Sequence, residues 1–311
     1  MAAIATGNHP KALWPGVNSW FGAKYDEHDK QYDKLFEVRS SNQNYEELVL
    51  HTGFGLTPVK PEGSSTAYDS HSQGYTARGT NVAYSLGYIV TREELADNLY
   101  EKVSMQRAAS LAFSAAQTRE NVAANVYNRV ITAGYTGGDG VVLGSTAHPT
   151  VAGNQSNILA TAADLSEASL EDLTIQIMNA VDSRGLKIAI QPKCLIIPTA
   201  LVYDAQRILK SQLRSDTANN DANALKLLGA IPEIVTNNYL TDTDAWFIRT
   251  NAPDGMIWFD REPVQFTKDT DFDTDNAKAK CYQRFVPMWG DWRGLYSSSG
   301  EIGRASCRER V

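Results

Sequence analysis

Hydrophobic and polar positions follow three rhythms along this chain, and each predicts a different kind of element. From Tyr45 to Val90 the order is YEELVLHTGFGLTPVK, a turn-rich PEGSSTAYDSHSQG, then YTARGTNVAYSLGYIV. Two strand-like arms flanking a polar middle predict a β-hairpin, and each arm of about 12 residues reaches ~40 Å at strand rise. The middle carries almost nothing apolar to bury, and an isolated hairpin of this kind is at best marginally stable. Its partner surface is therefore expected on another molecule.

At Thr91 the rhythm changes to that of a helix. The segment TREE places a hydroxyl at the N-cap and Glu94 three residues later, the pattern of a capping box. Apolar residues then recur at Leu95, Leu99, Val103, Phe113, Val122, Val126 and Val130, with alanines between them and no proline before Pro149. An unbroken helix from Arg92 to Ala133 would span ~60 Å. The glycine-rich stretch AGYTGGDGVVLGSTAHPTVAGNQSN that follows reads as a mobile surface loop. A second helix is expected from Ser169 to Arg184, closed by Gly185.

Beyond it the pattern mixes: KCLIIP as a buried strand, TALVYDAQRILKS as a helix, IPEIV and AWFIRT as strands. From Gly255, IWFDREPVQFTKDT and KAKCYQRFVPMWGDWRGLYS read as long antiparallel strands that pack on the long helix. Residues 1–45 show little sustained periodicity and read as an extended arm anchored by aromatics, with a short helix candidate near Glu27 to Phe36. The class is α+β, with two intercalated lobes and two projecting arms.

Composition narrows the functions. The 311 residues are 42% apolar and 21% charged, the balance of a folded chain, and a chain of this size buries about three quarters of its unfolded surface. No run approaches the ~20 apolar residues needed to span a bilayer, and no basic leader is read in MAAIATGNHPKALWPGV, so the protein is expected to stay in the cytoplasm where it is made. Residues 301–311, EIGRASCRERV, look like translated sequencing adapter and are set aside as a non-native tail. With three arginines and two glutamates removed, the net charge moves from −7 to −8. An acidic chain without a basic stripe suits enclosing DNA better than gripping it. Cys194 and Cys281 read as buried small hydrophobes.

Candidate chemistry is sparse. Gly134 to Gly144 has no Gly-Lys-Ser/Thr and follows a helix, where phosphate loops follow a strand. Asp269, Asp271, Asp273 and Asp275 resemble the front of a calcium loop but lack its glycine and closing glutamate, which leaves a solvated turn. His9, His28, His51, His71 and His148 lack zinc-ligand spacing, and no nucleophile motif accompanies His148. No catalytic residue, cofactor site or metal site is assigned. A metal-dependent hydrolase using His148 or the aspartate run remains the alternative from another class.

TREELADNLY entering the long helix, VLGSTAHPTVAGNQSN after it, LKIAIQPKCLIIPTALVYDAQRILKS, and IPEIVTNNYLTDTDAWFI followed by GMIWFDREPVQF together resemble the major head proteins of Mu-like phages and prophages. The resemblance spans most of residues 10–298 and implies the Hong Kong 97-type capsid fold of tailed phages. It implies an N-terminal arm at 1–45 and an extended β-hairpin loop at 46–87. A peripheral domain at 88–164 and 256–300 would hold the spine helix and antiparallel sheet, and an α/β axial domain would occupy 165–255. It implies a non-enzymatic virion subunit, assembled in the bacterial cytoplasm into pentamers and hexamers of an icosahedral shell around double-stranded DNA. The chief partner is itself, with scaffold or protease, portal and decoration proteins as further partners. The expected contact residues are Trp14 and Trp20 in the arm and Phe54, Leu56, Lys60 and Glu62 in the loop. A tail-tube or decoration subunit is the other virion role considered, and the long helix argues against a tube.

Overall fold

The computed structural model describes residues 19–96, 100–213, 221–271 and 276–300, without the side chains of 95–105. Trp14, Leu99, Asp273, Asp275 and the tail lie outside these residues, and the Leu95 and Val103 side chains are likewise not described.

Two four-stranded sheets organise the chain. The first has the order β1-β8-β9-β4, built from Glu37–Ser40 (β1), Met256–Thr270 (β8), Ala277–Trp289 (β9) and Val82–Val90 (β4). Its backbone is the long β8–β9 hairpin, whose register shifts between Asp260 and Gln265. Pro263 falls inside that irregular stretch, where a missing N–H interrupts no regular ladder. Pro287 lies in the part of β9 beyond the end of β4, where β9 has a strand on one side only.

The second sheet has the order β10-β7-β5-β6, from Leu295–Ser298 (β10), Trp246–Thr250 (β7), Pro192–Pro198 (β5) and Glu233–Asn237 (β6). Its centre is the apolar run Cys194–Ile197, buried throughout. Helices Glu167–Met178 (α5), Val202–Lys210 (α6) and Ala224–Leu228 (α7) accompany it. Leu170, Leu173 and Ile177 of α5, with Leu195, Ile197, Trp246 and Ile248 of the sheet, form one buried cluster. Burial drives the Cys194 thiol up to about 11, so at neutral pH it is an inert apolar filler.

The long helix is described as Arg92–Ala96 (α3) and Tyr100–Asn128 (α4). The Thr91 hydroxyl accepts the Glu94 N–H at 3.4 Å, as the capping pattern predicts, while the Glu94 carboxylate takes Arg107 at 2.8 Å. The buried face of the long helix matches the expected one toward its end, where Val130 is buried and Val122 and Val126 pack on the main core, and departs from it earlier. Phe113 is exposed, and Ala108, Leu111, Ala112, Ala115, Ala123 and Tyr127 are buried. Alanines let the helix approach the strands closely, so the residues that look like spacers form the contact.

Four other expectations need correction. Residues 32–40 are no free arm: after a helix over 19–26 (α1), the short helix Tyr32–Leu35 (α2) delivers Leu35 and Phe36 into the main core, and β1 pairs parallel with β8. The hairpin expected over Tyr45 to Gly87 is shorter, pairing Tyr45–His51 (β2) with Gln73–Thr80 (β3), because the run from Val82 finds longer pairing with β9. Helix α5 stops at Met178, not Arg184, because Asn179 to Lys187 turns back on itself around Asp182, whose Oδ1 accepts the N–H groups of Arg184 and Leu186, both at 2.8 Å. The last strand of the expected C-terminal group, β10, leaves that group and joins β7 in the other sheet.

The glycine-rich segment 134–157 is not a loose surface loop either. His148 is fully buried, stacked on Trp292 at 4.3 Å, and its Nδ1 and Nε2 hydrogen-bond to Asp139 Oδ2 (2.6 Å) and Asn157 Oδ1 (3.2 Å). Asn157 Nδ2 donates to the carbonyls of Leu143, Trp292 and Leu295 at 2.6, 3.3 and 2.9 Å. These side chains supply the partners that a buried irregular backbone lacks. Gly138 is required where the segment crosses β3, since a Cβ there would lie 2.6 Å from the Thr76 carbonyl oxygen.

Candidate functional site

Three surfaces stand out from the body, beginning with the segment between β2 and β3. Its base is closed by Thr52, whose N–H donates to the Ser72 carbonyl and whose Oγ1 accepts the Ser72 N–H at 2.9 Å. At its far end the Ser64 N–H donates to the Pro61 carbonyl, with Gly63 at φ +79°, the positive φ that the third position of a type II turn takes. Between base and tip it presents Phe54, Leu56, Val59 and Tyr68 at 59%, 80%, 93% and 95% exposure. Four large apolar side chains in one loop exceed the scattered exposure that any surface shows.

Asp69 braces this loop. Its Oδ2 accepts the Gly55 N–H at 2.8 Å, its Oδ1 accepts the Ser70 N–H at 2.8 Å, and Arg184 reaches the same Oδ2 at 2.6 Å. The backbone N–H groups of Gly55 and Ser70, and then Arg184, hold this carboxyl below the usual range.

A second surface lies on α6 and α7, where Tyr203, Leu227 and Leu228 are exposed. Leu225 takes the buried side of α7, Leu227 two positions on faces away from it, and Leu228 at the end of the helix is exposed as well. Gly229, at φ +59°, ends this helix in the left-handed conformation. The third surface is an open groove on one face of the first sheet, running across β4, β9 and β8 and lined by Gly87, Ile89, Lys278, Lys280, Gln265 and Thr267.

Of the expected contact residues, Phe54, Leu56, Lys60 and Glu62 all lie exposed in the one loop. Trp20 is exposed on α1, with the Lys24 ammonium 4.9 Å from its ring centroid, and belongs to a different surface. Sequence reading missed Val59, Tyr68 and the α6–α7 residues. Tyr68 sits in the most polar part of the hairpin, and that isolation was the available signal. His148 has no accessible surface with which to meet a substrate, and Asp271 pairs with Lys278 at 2.5 Å. Among the described residues no group of three or more acidic, histidine or cysteine side chains is placed to hold a metal. No helix among them is long and apolar enough to cross a membrane.

Solved structures share this arrangement along nearly their whole length. A virus-like particle protein from Pyrococcus furiosus matches with a TM-score of 0.54 at 12% identity, covering 91% of this chain and 97% of that one. The capsid of a native GTA particle matches at 0.54 and 10% identity (86% and 88% covered), and a protein of Mycobacterium phage Che8 at 0.50 and 14% (88% and 93%). The fold is thus the Hong Kong 97-type capsid fold. No curated protein matches the chain. A family model described as phage capsid protein matches residues 78–298, and the chain belongs to that family. Its function is that of a capsid protein, a structural component of the virion.

Proposed function

We propose that this chain is the major head subunit of a tailed phage or Mu-like prophage, assembling with copies of itself into the pentamers and hexamers of an icosahedral shell around double-stranded DNA. The single observation that carries this reading is the β2–β3 loop, whose Leu56, Val59 and Tyr68 are left uncovered by their own subunit. Full burial of one such side chain is worth roughly 1.5–3 kcal/mol, and association itself costs several kcal/mol. One loop contact is therefore weak, and a closed shell holds because each subunit makes many such contacts at high effective concentration.

In this reading residues 46–87 supply the loop that covers a neighbour, α4 is the spine of a peripheral domain, and the α5–α7 region serves as an axial domain around symmetry axes. Trp14, Trp20, Phe54, Leu56, Lys60 and Glu62 are contact residues. The work is mechanical, with no bond made or broken by the subunit. Net negative charge keeps the wall from trapping the packaged polyanion. Assembly takes place in the host cytoplasm, with scaffold or protease, portal and decoration proteins as further partners.

Electron microscopy of the expressed full chain, with and without co-expressed phage scaffold, tests this reading. Uniform closed particles are expected. A chain that stays monomeric at high concentration under both conditions overturns it.

A further inference from the structure

The β2–β3 loop is not left free in the isolated subunit, and one side chain from the body reaches it. Arg184 donates through Nη1 to Asp69 Oδ2 at 2.6 Å and through Nη2 to the Ser70 carbonyl. These residues are 115 and 114 positions away in sequence. The guanidinium fork thus grips a carboxylate and an adjacent carbonyl, a geometry that a lysine point charge does not reproduce.

Arg184 is well placed for this. It projects from a tight turn pinned by Asp182 Oδ1, with Gly185 at φ +87°, and the Ser183 carbonyl accepts the Ala152 N–H at 2.9 Å. The anchor is fixed by these bonds, and the segment it holds is largely exposed, from Gly53 at φ +66° to Ser72. The pair itself is half in water, with the Arg184 side chain 25% and that of Asp69 49% exposed. Such a contact holds a conformation without making it permanent.

We propose that Arg184 is a latch that holds the β2–β3 loop against its own subunit, and that the loop engages a neighbouring copy after this contact opens. The latch keeps Leu56, Val59 and Tyr68 in one resting position before assembly. An assembling neighbour offers apolar cover in exchange for one exposed ion pair, which sets the direction of the switch. The inference rests on the shell-forming role proposed above, but its first test does not require a shell.

Limited chymotrypsin digestion of the unassembled full chain reads the latch, because Leu56 and Tyr68 offer cleavage sites within the loop. Arg184→Ala and Asp69→Asn are each expected to speed cleavage there about 3- to 5-fold, the modest population change that an exposed, screened pair supports, with an unchanged melting temperature. The paired exchange Arg184→Asp with Asp69→Arg is expected to recover much of the protection, and 1 M salt to mimic the single variants. Equal cleavage of wild type and both single variants overturns the latch. In a second arm, light scattering follows assembly, and Arg184→Ala is expected to assemble faster than wild type at equal concentration. Slower assembly by a variant whose loop is shown to be released overturns the opening step, while the shell reading stands or falls on the microscopy.

Discussion

Arg119 and Glu120 are neighbours on α4, both nearly buried, and their surroundings treat them differently. Arg119 is satisfied: it forks onto Asp260 at 3.0 and 3.2 Å, donates to Gln283 Oε1 at 2.9 Å and reaches the Tyr32 hydroxyl at 3.3 Å. Removing one member of such a group strands the others. Arg119→Ala is expected to cost about 3 kcal/mol in urea unfolding, the low end of roughly 3–5 for a broken buried pair, because Asp260 keeps some contact with water. Glu120 is under-satisfied: Oε1 accepts the Gln31 N–H at 2.9 Å, and Oε2 is buried with no hydrogen-bond partner among the described residues. Burial raises its pKa, against the partial help of the Gln31 and Tyr32 backbone N–H groups. The folded state therefore binds this proton more tightly than the unfolded one, and stability contributed by Glu120 falls as pH rises from the ordinary glutamate range through the raised value. Glu120→Gln is expected to raise the melting temperature at pH 7, and the gain should shrink as pH falls through the ordinary glutamate range and vanish below it, where both states are protonated. A gain independent of pH would contradict this origin. Neither residue was legible in the sequence, because periodicity assigns charged positions on a helix to solvent, and only the fold shows that Asp260 and Gln283 come to meet Arg119.

At the level of elements, strands were the most legible part. Cys194–Ile197 and Trp246–Thr250 lie where their apolar runs predicted, since buried strands leave little else for such runs to do. Helix limits were less so. The end of α5 is set by Asp182 turning the chain, and a polar residue that caps its own turn looks in sequence like any exposed helical aspartate. The β2–β3 loop was legible as an element with nothing to bury, but its apolar content was underestimated, because Leu56, Val59 and Tyr68 are too widely spaced to form a periodic signal. Their exposure makes a clean separation of folding from assembly available. Leu56→Ser combined with Tyr68→Ser is expected to leave urea unfolding within about 0.5 kcal/mol of wild type and to reduce particle yield at least 10-fold by light scattering. A comparable loss of stability would show instead that the loop is part of the subunit's own core.

For the molecule as a whole, the capsid class was legible because order and spacing of modest motifs survive along one chain, although any one of them is weak. What sequence order concealed was the interleaving of the two sheets. Strand β1 pairs with β8 across more than 200 positions, and Arg249 in β7 donates to the Lys34 carbonyl at 2.9 Å, so the early segment touches both sheets. Pairings this distant form late and slowly, because the loop they close must be ordered before the contact rewards it.

Strand β10 carries that interleaving to its conclusion, since Leu295–Ser298 sits beside β7 and completes the second sheet only after the chain has already traversed the first. A ribosome must therefore finish translating Ser298 before a complete subunit exists. Prematurely released fragments would leave β7 with an open edge, whose unpaired N–H and C=O groups invite pairing with another chain.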